Sequence, residues 1–202
     1  MDITEFDTGA FGESADSFEK LKSDCQNCGR CDLAITRKNL VFGMGNEHAD
    51  ILFIGEGPGE TEDLEGLPFV GKAGQLLDVM LQLIGLDRST VYIANIVKCR
   101  PPQNRDPKPE EKDACREWLN RQIELVQPEI IVCLGRIAAT ALIDENFKIT
   151  RDHGQWFNID GRKYFATYHP SALLRDESKR PEAFADFRQI RAELRKLREA
   201  DA

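Results

Sequence analysis

The stretch Ile51–Leu77, ILFIGEGPGETEDLEGLPFVGKAGQLL, decides the fold, because it runs from strand to glycine turn to loop to helix without a break. Ile51 to Ile54 is apolar without alternation, the pattern of a strand buried on both faces. It delivers the chain to Gly55, Gly57 and Gly59. Glycine gives both open access to the main chain and freedom in φ, so this turn predicts close approach of a ligand. Phe69, between Pro68 and Val70, sits where no core period asks for an aromatic ring. A flat side chain in a loop fits a flat partner, and a nucleobase is one. Leu76, Leu77, Met80, Leu81 and Ile84 then recur at helical spacing, with Gly85 as the stop.

Two phosphate-binding patterns nearly match this stretch. Gly55-x-Gly57-x-Gly59 lacks the spacing of the dinucleotide fingerprint. Gly66 to Lys72 has the spacing of a nucleotide phosphate loop, but Ala73 stands where a magnesium-binding hydroxyl belongs. The residues between, Leu67, Pro68, Phe69 and Val70, are also too bulky to wrap a phosphate in amides. A nucleotide triphosphatase is not expected.

Outward from this stretch, the chain of 202 residues suits one α/β domain, read as 23–202 after a mobile N-terminal tail or loosely docked helix over 1–22. The net charge of −8 excludes nucleic-acid binding by overall electrostatics, so any DNA contact must be local. No basic, apolar leader opens the chain and no apolar run nears the ~20 residues that span a bilayer, so a cytoplasmic protein without membrane contact is expected. In that reducing compartment the six cysteines read as metal ligands or core residues rather than disulfides. Cys25, Cys28 and Cys31 have the C-x2-C-x2-C spacing that lets one tight turn grip a metal centre.

Strands are expected at 49–54, 91–98, 129–134 and 163–168, alternating with helices. The prolines of Arg100–Pro109 exclude regular structure, and Pro109-Glu110-Glu111 opens a helix with Ala114, Trp118, Ile123 and Val126 on its inner face. Cys133, among Ile and Val, reads as a core residue. Asp160-Gly161 marks a hairpin, and Phe184, Phe187, Ile190, Leu194 and Leu197 form one side of a final helix. The alternation implies an α/β fold, a mainly parallel sheet with helices on both faces. Ligands of such sheets bind beyond the carboxyl ends of the strands, where the glycine turn, the loop after Cys99, and His169 converge.

The segments CGRCDLAITRKNLVFG, GEGPGETED, GLPFVGKAG, ANIVKCRPPQNR and YHPSALLR, in unbroken order from Cys28 to Arg175, resemble the family 4 uracil-DNA glycosylases, the iron–sulfur branch of their superfamily. The resemblance implies a three-layer α/β/α sandwich around a four-stranded, mainly parallel sheet, and removal of uracil from DNA after cytosine deamination. It implies that Cys28 and Cys31, followed by Leu33, Arg37 and Val41-Phe42-Gly43, join Cys99 and Cys115 to hold a [4Fe–4S] cluster, leaving Cys25 spare. Zinc would accept the same four sulfurs, and the spacing alone does not choose between them. The cluster is read as a clasp on the loops around Arg37 and Arg100.

By the same resemblance His169 donates a hydrogen bond to uracil O2, aided by main-chain amides around Glu56 and Gly57. Asn95 matches N3–H and O4 of uracil, Phe69 stacks on the base, and Gly55, Gly57 and Asn104 complete the substrate site. Gly57 stands where the family 1 enzymes carry a water-orienting aspartate, so Glu56, the nearest acid, is the choice for that task, with Glu62 and Asp63 behind it and Asn104 as a polar partner being the alternatives. Glu62 is read as orienting His169, with the alternative that Glu62 and Asp63 simply cap a helix. Leu173, Leu174 and Arg175 resemble a wedge into the minor groove, and Lys98, Arg100, Arg105, Lys108 and Arg175 form the expected local positive patch. Arg100, Leu174 and Arg175 are the DNA contacts of choice, in a monomer whose partner is uracil-containing DNA. A relative that binds or covalently traps uracil-DNA without turnover is the competing reading; an electron-transfer protein is a more distant one.

Overall fold

A computed structural model describes residues 17–200. Helix α1 (Phe18–Gln26) opens it, capped by Ser17, whose hydroxyl accepts from Lys20 N at 3.1 Å. The end of the expected tail, from Phe18 on, is therefore helical, and Leu21 and Cys25 bury one face of it; residues 1–16 lie outside the described residues. Then follow α2 (Leu33–Thr36), β1 (Met44–Gly45), β2 (Ile51–Gly55), α3 (Glu60–Glu65), α4 (Lys72–Leu83) and β3 (Tyr92–Asn95). After a loop come α5 (Pro109–Val126), β4 (Ile130–Leu134), α6 (Arg136–Leu142), α7 (Ile149–Asp152), β5 (Trp156–Ile159), β6 (Arg162–Thr167), α8 (Pro170–Arg175) and α9 (Arg180–Ala200).

The sheet has six strands in the order β1-β3-β2-β4-β6-β5, which corrects the expected four. The four expected strands form its parallel centre, and β1 and β5 add antiparallel edges. β1 escapes a reading by period because it has two residues; Gly45 lets it approach Val91, whose carbonyl oxygen would lie 2.0 Å from any Cβ there. β5 joins β6 through Asp160 (φ 50°) and Gly161 (φ 79°), both left-handed as a two-residue hairpin turn requires.

Strand side chains alternate between the two faces. Leu52, Ile54, Ala94, Ile131 and Cys133 pack with Leu21 of α1, Leu119 and Ile123 of α5 and Ala138 of α6. Ile51, Phe53, Ile93, Val132 and Phe165 pack with Leu77 of α4, Leu173 of α8 and Phe187 of α9. Each fully buried Leu, Ile or Phe contributes about 1.5–3 kcal/mol, so this double-sided core fixes the strand register. On α5 the buried face is Glu111, Cys115, Trp118, Leu119, Gln122, Ile123 and Val126, with Ala114 at its margin.

That register places Gly55 opposite Asn95 at the carboxyl ends of β2 and β3. Beyond it the strands give way to irregular chain, but Ile96 N still donates to Gly55 O at 2.9 Å and Val97 N to Glu56 O at 3.1 Å. The proline-rich loop is irregular as expected except for one 3-10 turn, Pro102–Asn104, in which Gln103 (φ 56°) and Asn104 (φ 54°) are both left-handed.

Candidate active site

Four loops at this end of the sheet enclose a crevice of about 320 Å³. Glu56, Gly57 and Glu62 reach it from the β2 turn and α3, Phe69 from the loop before α4, Asn95 and Asn104 from β3 and the loop after it, and His169 and Arg175 from α8 and its cap. Gly55 lies beneath the floor, outside the lining. A Cβ there would sit 2.5 Å from Phe69 Cζ and 2.6 Å from Asn95 Oδ1, so this glycine makes room for two protein side chains rather than for a ligand. Arg100 stands behind the lining, where its Nε donates to Asn104 Oδ1 at 2.8 Å and its Nη1 lies 3.5 Å from Glu60. Leu174 is exposed on α8, away from the crevice.

Asn95 is buried, and among the described residues its Oδ1 is a buried side-chain acceptor with no hydrogen-bond partner. Such an atom costs about 1–3 kcal/mol unless something donates to it. Phe69, at φ 53°, is held in a strained conformation, and its ring lies 5.5 Å from that of His169, tilted by 32°. The strain is sustained by Arg88, which donates to the carbonyls of Pro68 and Phe69 while paired with Asp78 at 2.7 Å.

Glu62 does not reach His169. Its carboxylate accepts from Gly59 N at 3.1 Å, Val70 N at 3.0 Å and Gly71 N at 2.8 Å, stapling the Phe69 loop to the start of α3. The helix-capping alternative is the arrangement found, and three amides explain why: they occupy both carboxylate oxygens. Asp63, buried beside it, accepts from Lys38 N at 2.9 Å.

His169 caps α8, and its Nδ1 accepts from Ser171 N at 3.1 Å with Ser171 Oγ 2.8 Å away. Burial, with Arg175 nearby, lowers its pKa to about 4. The ring is therefore neutral near pH 7, and with Nδ1 accepting, the proton sits on Nε2. Glu56 goes the other way: burial first, then the negative charge of Asp106, push its pKa up to about 7 against the pull of Arg136 and Arg175. Asp106 also lines the crevice, paired with Arg136 at 2.5 Å.

Two expectations about the DNA-facing surface are corrected. Leu173, on α8, is fully buried on the helix face it shares with Pro170 three residues earlier, so only Leu174 and Arg175 project. Lys98 is fully buried instead of joining a positive patch, because the bend three residues after β3 turns it inward; Arg105 is spent on Glu111 at 2.6 Å. Arg88, Ser171 and Asp106 lie outside the sequence-based expectations. Only Ser171, two residues after the histidine, had a local signal, that of a side chain bonding its own turn.

On the other side of the β3 loop, Cys28, Cys31, Cys99 and Cys115 line one small cavity. Arg37 Nη1 donates to Cys99 Sγ at 3.1 Å, Trp118 Nε1 to Cys28 Sγ at 3.3 Å and Lys98 N to Cys115 Sγ at 3.3 Å. Among the described residues no three His, Cys, Asp or Glu side chains gather closely enough for a single metal ion. Four thiols around a common cavity, three of them receiving N–H donors, fit the donor set of a larger thiolate-bound cluster. Cys25 is buried against the same core but outside the lining.

An α/β sheet with a base-sized crevice at its carboxyl edge agrees with the family comparison: residues 42–195 match the model of the Uracil DNA glycosylase superfamily. The chain is 46% identical over 183 residues to the type-4 uracil-DNA glycosylase of Archaeoglobus fulgidus, an alignment covering 87% of this chain and 92% of that one. It is 44% identical over 185 residues to the type-4 enzyme of Sulfurisphaera tokodaii (87% and 84% covered), and 46% over 162 residues to that of Thermotoga maritima (79% and 84% covered). The chain belongs to the uracil DNA glycosylase superfamily, within its type-4 family.

Proposed function

We propose that this protein hydrolyses the N-glycosidic bond of uracil in DNA and leaves an abasic site. The observation that carries the reading is Asn95 Oδ1, a buried acceptor without a partner in a crevice floored by Phe69 and closed by His169. Uracil N3–H supplies the missing donor, and the Asn95 amide N–H in turn meets O4. Cytosine presents an acceptor at N3 and a donor at the exocyclic position, the reverse pattern. A buried polar site left unmatched in this way rejects the wrong base by about 10⁴–10⁵.

The extruded base stacks on Phe69, worth about 1–3 kcal/mol. As the glycosidic bond breaks, negative charge spreads over the uracil ring toward O2 and positive charge over the sugar. His169, neutral with its proton on Nε2, donates to O2 without first carrying a charge into the crevice. Loss of one such donor costs about 10²–10³ in rate. Glu56, whose proton is held near neutrality by burial and by Asp106, takes the water-orienting task that Gly57 has no side chain to perform. Glu62 acts as a positioning residue, holding the loop on which Phe69 depends. Asn104, set by Arg100, closes the rim, and Leu174 and Arg175 meet the DNA where the base has left the stack.

Cys28, Cys31, Cys99 and Cys115 would hold a [4Fe–4S] cluster. Bound there, the group supplies a cross-link rather than a reacting centre, joining the segment before α2, the loop after β3 and helix α5. Among the described residues no helix is long and apolar enough to cross a membrane. We read the protein as a cytoplasmic monomer acting on uracil-containing DNA.

The test is a duplex with one uracil, incubated with the protein and treated with alkali. Strand scission with many turnovers per chain is expected. An adduct that survives denaturation would instead establish a covalent trap, and intact DNA with no adduct would end both readings.

A further inference from the structure

Lys98 lies between the two sites, lining the thiol cavity but not the crevice. It is fully buried, and its ammonium donates to the main-chain oxygen of Asn95 at 2.9 Å and to Gln122 Oε1 at 2.5 Å. Gln122, also fully buried, is fixed from its other end, since its Nε2 donates to Phe42 O at 2.9 Å and to Tyr92 Oη at 3.3 Å. The lysine's own amide donates to Cys115 Sγ at 3.3 Å and its carbonyl accepts from Val41 N at 2.8 Å. One residue, through its side chain and its main chain together, thus ties the strand end that carries Asn95 to helix α5 and to the wall of the thiol cavity.

Asn95 is the last residue of β3, where the ladder stops and its carbonyl needs a partner from elsewhere. A neutral donor would satisfy that oxygen. A buried ammonium is a costlier choice, tolerated only with hydrogen-bond partners, and here the Asn95 and Gln122 oxygens at 2.9 and 2.5 Å supply them. The Asn95 Oδ1 accepts no hydrogen bond that would hold the side chain, so its aim depends on the main chain below.

We infer that Lys98 is a positioning residue for base recognition, holding the Asn95 main chain in the orientation that aims its amide into the crevice, with Gln122 as the anchor of the lysine. This rests on the uracil reading above. The same residue borders the thiol cavity and touches the Asn95 carbonyl, so the two sites share one support.

The experiment uses the full chain, purified with its iron, as Lys98→Met, Gln122→Met and the double variant, in which both polar partners give way to apolar groups of similar length. Four quantities are read: melting temperature, iron per chain, binding of free uracil by calorimetry, and single-turnover excision at saturating enzyme alongside affinity for uracil-free duplex. In the chains that retain fold and iron, excision is expected to fall about 10²-fold, the effect of roughly 1 Å of misplacement, and uracil binding to weaken with it, while duplex affinity is unchanged. If Lys98→Met does not fold, Gln122→Met still carries the test, with a loss of about tenfold expected from an ammonium anchored at one end only. Wild-type uracil binding and excision in folded variants would overturn the inference, as would losses that follow lost iron in proportion. A wild-type protein that neither binds nor excises uracil would instead overturn the functional reading.

Discussion

Replacing Gly55 by alanine adds one methyl group at the floor of the crevice. The strand conformation accepts alanine, so the whole effect is steric. The new Cβ would lie 2.5 Å from Phe69 Cζ, 2.8 Å from Phe69 Cε2 and 2.6 Å from Asn95 Oδ1, where ordinary contact begins at 3.4 Å. Ring or amide must retreat by roughly 1 Å, a misplacement worth about 10²-fold in rate. Neither yields easily: Arg88 holds the Phe69 carbonyl, Glu62 holds the amides of Val70 and Gly71, and Lys98 holds the Asn95 carbonyl. Overpacking of this kind costs about 1–3 kcal/mol of stability, leaving the domain folded. Single-turnover excision from a uracil duplex, with affinity for uracil-free duplex alongside, is expected to show the rate loss without a loss of DNA binding. A folded Gly55→Ala protein that excises uracil at the wild-type rate would refute the claim that Phe69 and Asn95 set the pocket.

His169→Ala should lower excision by about 10²–10³ with DNA affinity kept, and equal losses in both would remove it from the reaction. Its folded pKa of about 4 lies below the ordinary 6.5, so the unfolded chain takes up the proton first; stability from this group is present above about pH 6.5 and lost as pH falls toward 4, and the alanine variant should melt with less acid sensitivity. Glu56 has the opposite sign: its folded pKa is raised from 4.5 to about 7, so its contribution is present at low pH and is lost as pH rises through about 7. In Glu56→Gln the rise of excision rate with pH through neutrality should vanish, and a profile unchanged from wild type would take Glu56 out of the water site. Cys99→Ala should yield a protein without the broad visible absorbance of an iron–sulfur cluster and with a lower melting temperature; full colour and iron content would take Cys99 out of the ligand set.

The parallel centre of the sheet is legible because β2 and β4 are short apolar runs between turn residues, and the glycine turn names the edge where a ligand binds. The edge strand β1 is not, since two residues carry no period. Lys98 and Leu173 mislead for related reasons. A lysine near a strand end and a leucine after a histidine look surface-bound until burial shows which way the chain turns. Arg88 has no local signal at all, because its partners lie ten to forty-four positions away and meet it only through the fold.

By itself the sequence determined the residue types of the crevice and of the thiol cavity, and the order of strands and helices that carries them, because period, turn chemistry and cysteine spacing are local properties of the chain. Only the tertiary structure decided what those residues do to one another. It gave Glu62 to three amides instead of to His169, set Gly55 beneath two side chains, left Asn95 Oδ1 without a partner and put the Lys98 ammonium under the Asn95 carbonyl. The reason is physical: hydrogen bonding and burial are settled by distances across the sheet, and those are fixed when two faces of helices close on it.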